Sequence, residues 1–213
     1  GGIALAFFPS HRHDLIHGFA AAVAAACLLL SLYVFLSYDH GDGGYQFARE
    51  FDWLPILGIS FSLGVDGISV VMVLLTGVVF LTGVLVSRNI THRPKDFFVL
   101  YLLLVSGVFG VFEAQDLFFF FFFYELAVVP MYLLIGVWGS STDFRTFVRT
   151  KEYGAMKLTM YLVAGSVLVW IAILAIFVEG GLGTFSIVAL QEVAFSENFQ
   201  RVFFPFLMVG FGV

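Results

Sequence analysis

The chain has 213 residues, of which 61% are apolar, 18% aromatic and only 12% charged. A water-soluble domain of this size carries about twice that share of charge, so the composition excludes one and points to an integral membrane protein. The formal net charge of −5 says little about partners, and the lone cysteine, Cys27, excludes an intrachain disulfide or a thiolate metal site.

A helix needs about 20 mainly apolar residues to cross hydrocarbon. In chain order the runs at about 16–38, 67–87, 97–113, 117–139 and 154–178 meet or approach that length, the third being the shortest. Partial runs flank them at 1–8 and 199–213. The chain starts and stops inside apolar runs without an initiator Met, so we read it as a fragment of a longer chain and assign no signal peptide. Backbone polar groups in lipid must be bonded internally, which makes these runs helices. Strict two-residue alternation is absent, which argues against a β-barrel. No linker, charge block or trusted repeat divides the sequence. The expected fold is all-α: one polytopic transmembrane helical bundle over 1–213, with about five complete and two partial membrane helices.

Loop charge gives the orientation. The loops at 9–15, 88–96 and 140–153 carry Arg12, Arg88, Arg93, Lys95, Arg145, Arg149 and Lys151. The alternate loops at 39–66, 113–116 and 179–201 carry only Arg49 and Arg201, with a surplus of acids. Seven basic residues against two, in alternation, place the first set on the cytoplasmic side or its equivalent.

Two charged residues fall outside both sets. Glu125 sits in the run LFFFFFFYELAVVPMYLLIGVWG, nine residues past Asp116 and so about 13 Å along a helix, close to mid-membrane. Charged groups at that depth cost several kcal/mol, on the order of 3 on insertion scales, and usually face a bundle interior or a water-filled path. Pro130, five residues on, cannot donate to the Leu126 carbonyl, so an acid and a freed carbonyl lie about a turn apart. This patch is read as a proton or ion site, with Pro130 as a hinge or hydration point; the bland alternatives are a permanently protonated structural carboxyl and a simple proline kink. Lys157 lies early in the last complete run. It is either a functional cation or a boundary residue that snorkels to water. Asp66 and Asp116 each stand before a helical run and suit N-capping. The histidines, His11, His13, His17, His40 and His92, lie in or beside loops in too loose a pattern for a metal site. No phosphate-cradling glycine motif, CxxC pair, heme-type His pair or nucleophile–base pair is present, and nothing suggests nucleic acid. Any catalysis is expected to be ion movement.

The segment SLGVDGISVVMVLLTGVV, followed by FFFFFFYELAVVPMYLLIGVWG, resembles the chain-4 (M-type) antiporter-like membrane subunit of proton-pumping NADH:quinone oxidoreductase, respiratory complex I. The resemblance runs from about residue 58 onward and is most specific in the YELAVVPMYLLIGVWG block. It implies that Glu125, the fifth-helix glutamate, is essential for proton translocation. It also implies a sixth-helix lysine in a K-x-x-x-Y setting, met by Lys157 and Tyr161. A seventh-helix lysine that would pair with the glutamate would fall past Val213. The resemblance further implies protons moved outward by electron transfer to quinone in other subunits, with no redox cofactor in this chain. Its partners would be sister antiporter-like membrane subunits, lipid and, indirectly, peripheral redox subunits. The membrane would be the bacterial cytoplasmic membrane, with thylakoid or mitochondrial inner membrane as alternatives. Two other readings stay open: a subunit of a multi-subunit cation/proton antiporter or membrane-bound hydrogenase, and a non-transporting membrane anchor.

Overall fold

A computed structural model of the chain describes residues 1–7, 12–41, 43–143 and 148–212; His11, Asp42 and Arg145 of the charge and histidine patterns lie outside them. Its helices are α1 (Gly2–Ala6), α2 (His13–Ser37), α3 (Ser69–Val86), α4 (Pro94–Glu113), α5 (Leu117–Trp138), α6 (Lys151–Gly180), the short α7 (Ile187–Leu190) and α8 (Glu197–Gly212). Among the described residues, α2 to α6 are each long and apolar enough to cross a membrane. The chain is thus an integral membrane protein built as a helical bundle.

Chain neighbours pack side by side: α2 on α3, α4 on α5, α5 on α6, and α6 on α8. Small residues set the closest approaches, as lipid supplies no hydrophobic drive between helices and backbone proximity must substitute. A Cβ at Gly107 would stand 3.0 Å from the Phe123 carbonyl oxygen and 3.2 Å from the Ala127 nitrogen, so α4 lies directly against the α5 backbone there. A Cβ at Gly210 would stand 2.8 Å from the Gly165 carbonyl oxygen, which makes the same kind of seam between α8 and α6. One core cluster joins α1 to α4 around Ile16, Phe80, Phe98 and Leu102. Another gathers Phe119, Val169, Ile173 and Phe185 under the loop end of α5 and α6.

The third span is a full 20 residues, longer than its apolar run. Its first turn is polar: Pro94 occupies the opening position, where a missing N–H costs nothing, and Lys95 and Asp96 follow. The last complete span is 30 residues, or about 45 Å, and overhangs a hydrocarbon core of about 30 Å. Thr150 caps it by accepting from the Tyr153 N–H.

The loop at 39–66 departs from the sequence expectation. It holds an antiparallel hairpin, β1 (Gln46–Leu54) with β2 (Ile59–Val65). Two-residue alternation is in fact present in Ile59-Ser60-Phe61-Ser62-Leu63, although too short to span a membrane. The turn passes through Gly58 at φ 67°, and a side chain there would collide with the Gly183 carbonyl. A second, minimal pairing joins β3 (Thr142–Asp143) to β4 (Val148–Arg149).

The two ends of the bundle are tied separately. At the basic end the Trp138 indole donates to the His92 carbonyl at 2.7 Å, and the Lys151 ammonium donates to the Val137 carbonyl at 2.6 Å. At the acidic end β2, residues 114–117 and residues 184–187 interlock through Gln115 N–H to Ser62 O, Leu117 N–H to Phe185 O and Ile187 N–H to Gln115 O. Ser140 is exposed at the basic end. A Ser140→Cys variant is therefore expected to react with an impermeant maleimide in inside-out vesicles and not in intact cells. Labelling of intact cells would reverse the topology.

Candidate functional site

Helix α5 carries the site, and its entry is fixed first. Asp116 is fully buried at the N-cap. Its Oδ1 accepts from the Phe118 and Phe119 N–H groups at 2.9 and 3.2 Å, and its Oδ2 accepts from the Ser60 N–H of β2 at 3.2 Å. The capping role read from the sequence is thus joined by a bond to the hairpin. Burial pushes this carboxyl above its ordinary value, the three backbone donors pull it back, and Glu50 adds a smaller upward push. Asp66 caps as well: its Oδ1 accepts from Ile68 and Ser69 N–H at 3.1 and 2.7 Å, ahead of α3.

The phenylalanine run then builds a rigid wall below the cap. Phe119 meets Phe61 of the hairpin edge-on at 4.9 Å, and Phe121 stacks on Trp170 of α6 at 4.7 Å. Glu125 follows, two turns past the cap. Its side chain is half-buried, and Oε1 is buried without a hydrogen-bond partner among the described residues. Leaving a buried acceptor unpaired costs about 1–3 kcal/mol, and such an orphan in a packed helix calls for an explanation in function or strain. The adjoining seam is tight, because Gly107 of α4 rests on residues 123–127 of α5. Pro130 is buried one turn on, and α5 continues helical through it to Trp138.

Lys157 sits elsewhere. It is exposed on α6, and its ammonium lies 5.8 Å from the centre of the Tyr161 ring. Exposed Met156, Met160 and Tyr161 surround it. It lies about 9 Å into a helix that overhangs the hydrocarbon by roughly 7 Å at each end if centred, so it stands near the apolar boundary on the basic side. Among the described residues no hydrogen bond or ion pair joins it to Glu125; the ion pairs there are Arg93–Asp96 and Arg201–Glu197. The structure places the two residues on packed neighbouring helices without bringing their side chains together. Among the described residues no group of three or more His, Cys, Asp or Glu is placed to hold a metal ion.

The segment that carries Glu125, Pro130 and Lys157 matches a known family. Residues 114–213 fit the family described as NADH:quinone oxidoreductase/Mrp antiporter, TM. Along nearly its whole length the chain is 34% identical to NAD(P)H-quinone oxidoreductase chain 4-2 of Synechocystis, covering 96% of this chain and 35% of that protein. Residues 114–213, just under half of the chain, match that family, and the chain along nearly its whole length is similar to the chain-4 subunits. The chain 4 of a Synechococcus strain is 32% identical over 100% of this chain and 38% of its own length. The chain therefore spans somewhat more than a third of the curated relatives it matches. Among solved structures, respiratory complex I from Thermus thermophilus with bound NADH aligns at a TM-score of 0.82 and 25% identity, over 99% of this chain and 41% of the matched one. The Mrp complex from Dietzia shares the fold at a TM-score of 0.72 and 18% identity, over 93% of this chain and 21% of that one. These are multi-subunit assemblies, and the cyanobacterial relatives fit a bacterial or thylakoid membrane.

The sequence did not point to the interlock at the acidic end. Gln115 is buried, with Oε1 accepting from the Ser62 hydroxyl at 3.0 Å and Nε2 without a partner among the described residues. Any side chain at Gly64 would collide with that amide. The alternation of Ile59 to Leu63 was the available signal for β2, but nothing local could show that its partner across the bundle end is the segment before α5.

Proposed function

We propose that this chain is part of a proton-translocating membrane subunit of an NADH (or related donor):quinone oxidoreductase. Glu125 takes up and releases the translocated proton, and Lys157 supplies a positive charge on the cytoplasmic side of the path. The observation that carries this reading is the mid-span carboxyl of Glu125, with one oxygen buried and without a partner among the described residues, five residues before a proline and inside the family-matched segment. A hydrated donor or acceptor can meet that oxygen, and the carbonyl freed by Pro130 offers a second polar point along the same helix. Electron transfer to quinone takes place in other subunits, and this chain holds no redox cofactor. Its partners are sister antiporter-like membrane subunits, with the peripheral redox subunits reached through them. Catalysis here is displacement of a proton, coupled to chemistry elsewhere.

The second reading, a subunit of a cation/proton antiporter, is supported by the shared fold with the Mrp complex. Purification from native membranes separates the two. The oxidoreductase reading expects flavin and iron–sulfur subunits to co-purify with this protein; an assembly of membrane subunits alone, free of flavin and iron, would favour the antiporter.

Lys157 has its own test. Lys157→Met is expected to slow proton translocation several-fold with assembly intact. Lys157→Arg keeps the charge but not the shape or the ease of deprotonation, and is expected to be milder. Translocation unchanged in Lys157→Met would mean that the ammonium only snorkels to the interface.

A further inference from the structure

A second polar site lies at the basic end of the bundle, away from Glu125. A cavity of about 280 Å³ opens between the start of α2, the turn after α3 and the start of α4. His13, Asp14 and His17 of α2, Arg88 of the turn, and Pro94 and Phe98 of α4 line it. His13 and His17 are four residues apart, so one face of the first turns of α2 carries both rings.

The geometry prepares these groups for an anion. His17 Nε2 lies 3.1 Å from the Val84 carbonyl oxygen, which can only accept, so Nε2 carries the hydrogen. Nδ1 is then an acceptor in the neutral ring and becomes a second donor on protonation. Phe98 meets the same ring edge-on at 5.7 Å and restricts it. Arg88 forms no ion pair among the described residues, although Asp14 lines the same cavity. Its planar fork suits a tetrahedral oxyanion. Arg88 brings a fixed positive charge to the cavity beside the carboxylate of Asp14, and the two imidazoles add ring nitrogens on the same face. The surrounding loop adds Arg12, His92 and Lys95, while Arg93 is paired with Asp96. The cavity lies at the basic ends of three candidate spans, α2, α3 and α4, and basic pockets between spans on that side of a membrane bind anionic headgroups.

We propose that this cavity binds the phosphate of an anionic membrane lipid, with Arg88, His13 and His17 as donors. The proposal does not rest on the proton-transfer reading. Asp14 opposes the anion and sets the specificity, because it penalises a ligand that cannot bring a full negative charge to Arg88. The lipid thereby adds a tie between the start of α2 and the α3–α4 turn, beside the His17–Val84 bond and the His17–Phe98 contact.

Histidine modification tests this in the full-length protein within its complex. Diethyl pyrocarbonate labelling, read by peptide mass spectrometry, is compared in nanodiscs of phosphatidylcholine alone and with phosphatidylglycerol added. Phosphatidylglycerol is expected to slow modification of His13 and His17 about fivefold, as charge-assisted contacts to its phosphate would, with His92 changing little. Arg88→Gln is expected to abolish the protection and Arg88→Lys to restore part of it. Equal labelling of wild-type His13 and His17 in the two lipids would overturn the proposal without recourse to any variant. Protection by millimolar inorganic phosphate in the absence of phosphatidylglycerol, with none from the lipid, would make the cavity a free-phosphate site and overturn the lipid assignment.

Discussion

Glu125→Gln is expected to leave the complex assembled and to cut proton translocation by roughly a hundredfold, the scale on which a positioned proton-transfer group acts. Coupled quinone reduction should slow in step. Glutamine keeps the length of the side chain and its capacity for hydrogen bonds, so the packing of α5 against Gly107 is not disturbed. What it removes is the ability to gain and lose a proton. Glu125→Asp keeps the carboxyl with a shorter reach and is expected to retain part of the rate. Proteoliposome measurements of proton uptake against quinol formed would register both changes. Normal pumping by Glu125→Gln would reduce the carboxyl to a structural element and remove the basis of the functional reading.

The largest stability effect is expected at Asp116. Asp116→Ala removes the N-cap of α5, worth about 1 kcal/mol. It also orphans the Ser60 N–H that Oδ2 accepts from, which adds about 1–3 kcal/mol for a buried unpaired donor. The sum of about 2–4 kcal/mol falls where the hairpin, the start of α5 and residues 184–187 meet. Asp116→Asn is expected to cost less. Its amide oxygen keeps the cap while its amide nitrogen cannot accept from the Ser60 N–H, and burial disfavours the charge that the change removes. Thermal unfolding in detergent, followed by tryptophan fluorescence of Trp53 and Trp170 near the site, should place alanine below asparagine. Equal midpoints for the two variants would show that the charge, rather than the hydrogen bonds, secures the joint.

Membrane spans were legible because a 20-residue apolar run has few alternatives in lipid. Glu125 and Pro130 were legible for the same reason, as breaks in such a run. Helix ends were less so: Lys95, Asp96 and Glu152 are charged yet helical, since the first turn of a span can lie in water. The hairpin at Gln46–Val65 was missed because a β pairing in a loop depends on contacts distant in sequence, here with Gln115 and Phe185. The exposure of Lys157 could not be read from its spacing, which fixes a helical face but not the neighbour that face meets. The cavity of His13, His17 and Arg88 is likewise an encounter of segments about 70 residues apart, and its histidines looked scattered along the chain.

Time-resolved infrared difference spectroscopy of the complex, with 13C-labelled glutamate and a Glu125→Gln control, tests the proton-carrying role of Glu125 most directly. The expected result is a protonated-carboxyl band that rises and decays with turnover, shifts on 13C labelling and disappears in the glutamine variant. A carboxyl band assigned to Glu125 that stays constant through turnover, while protons are still pumped, would contradict it.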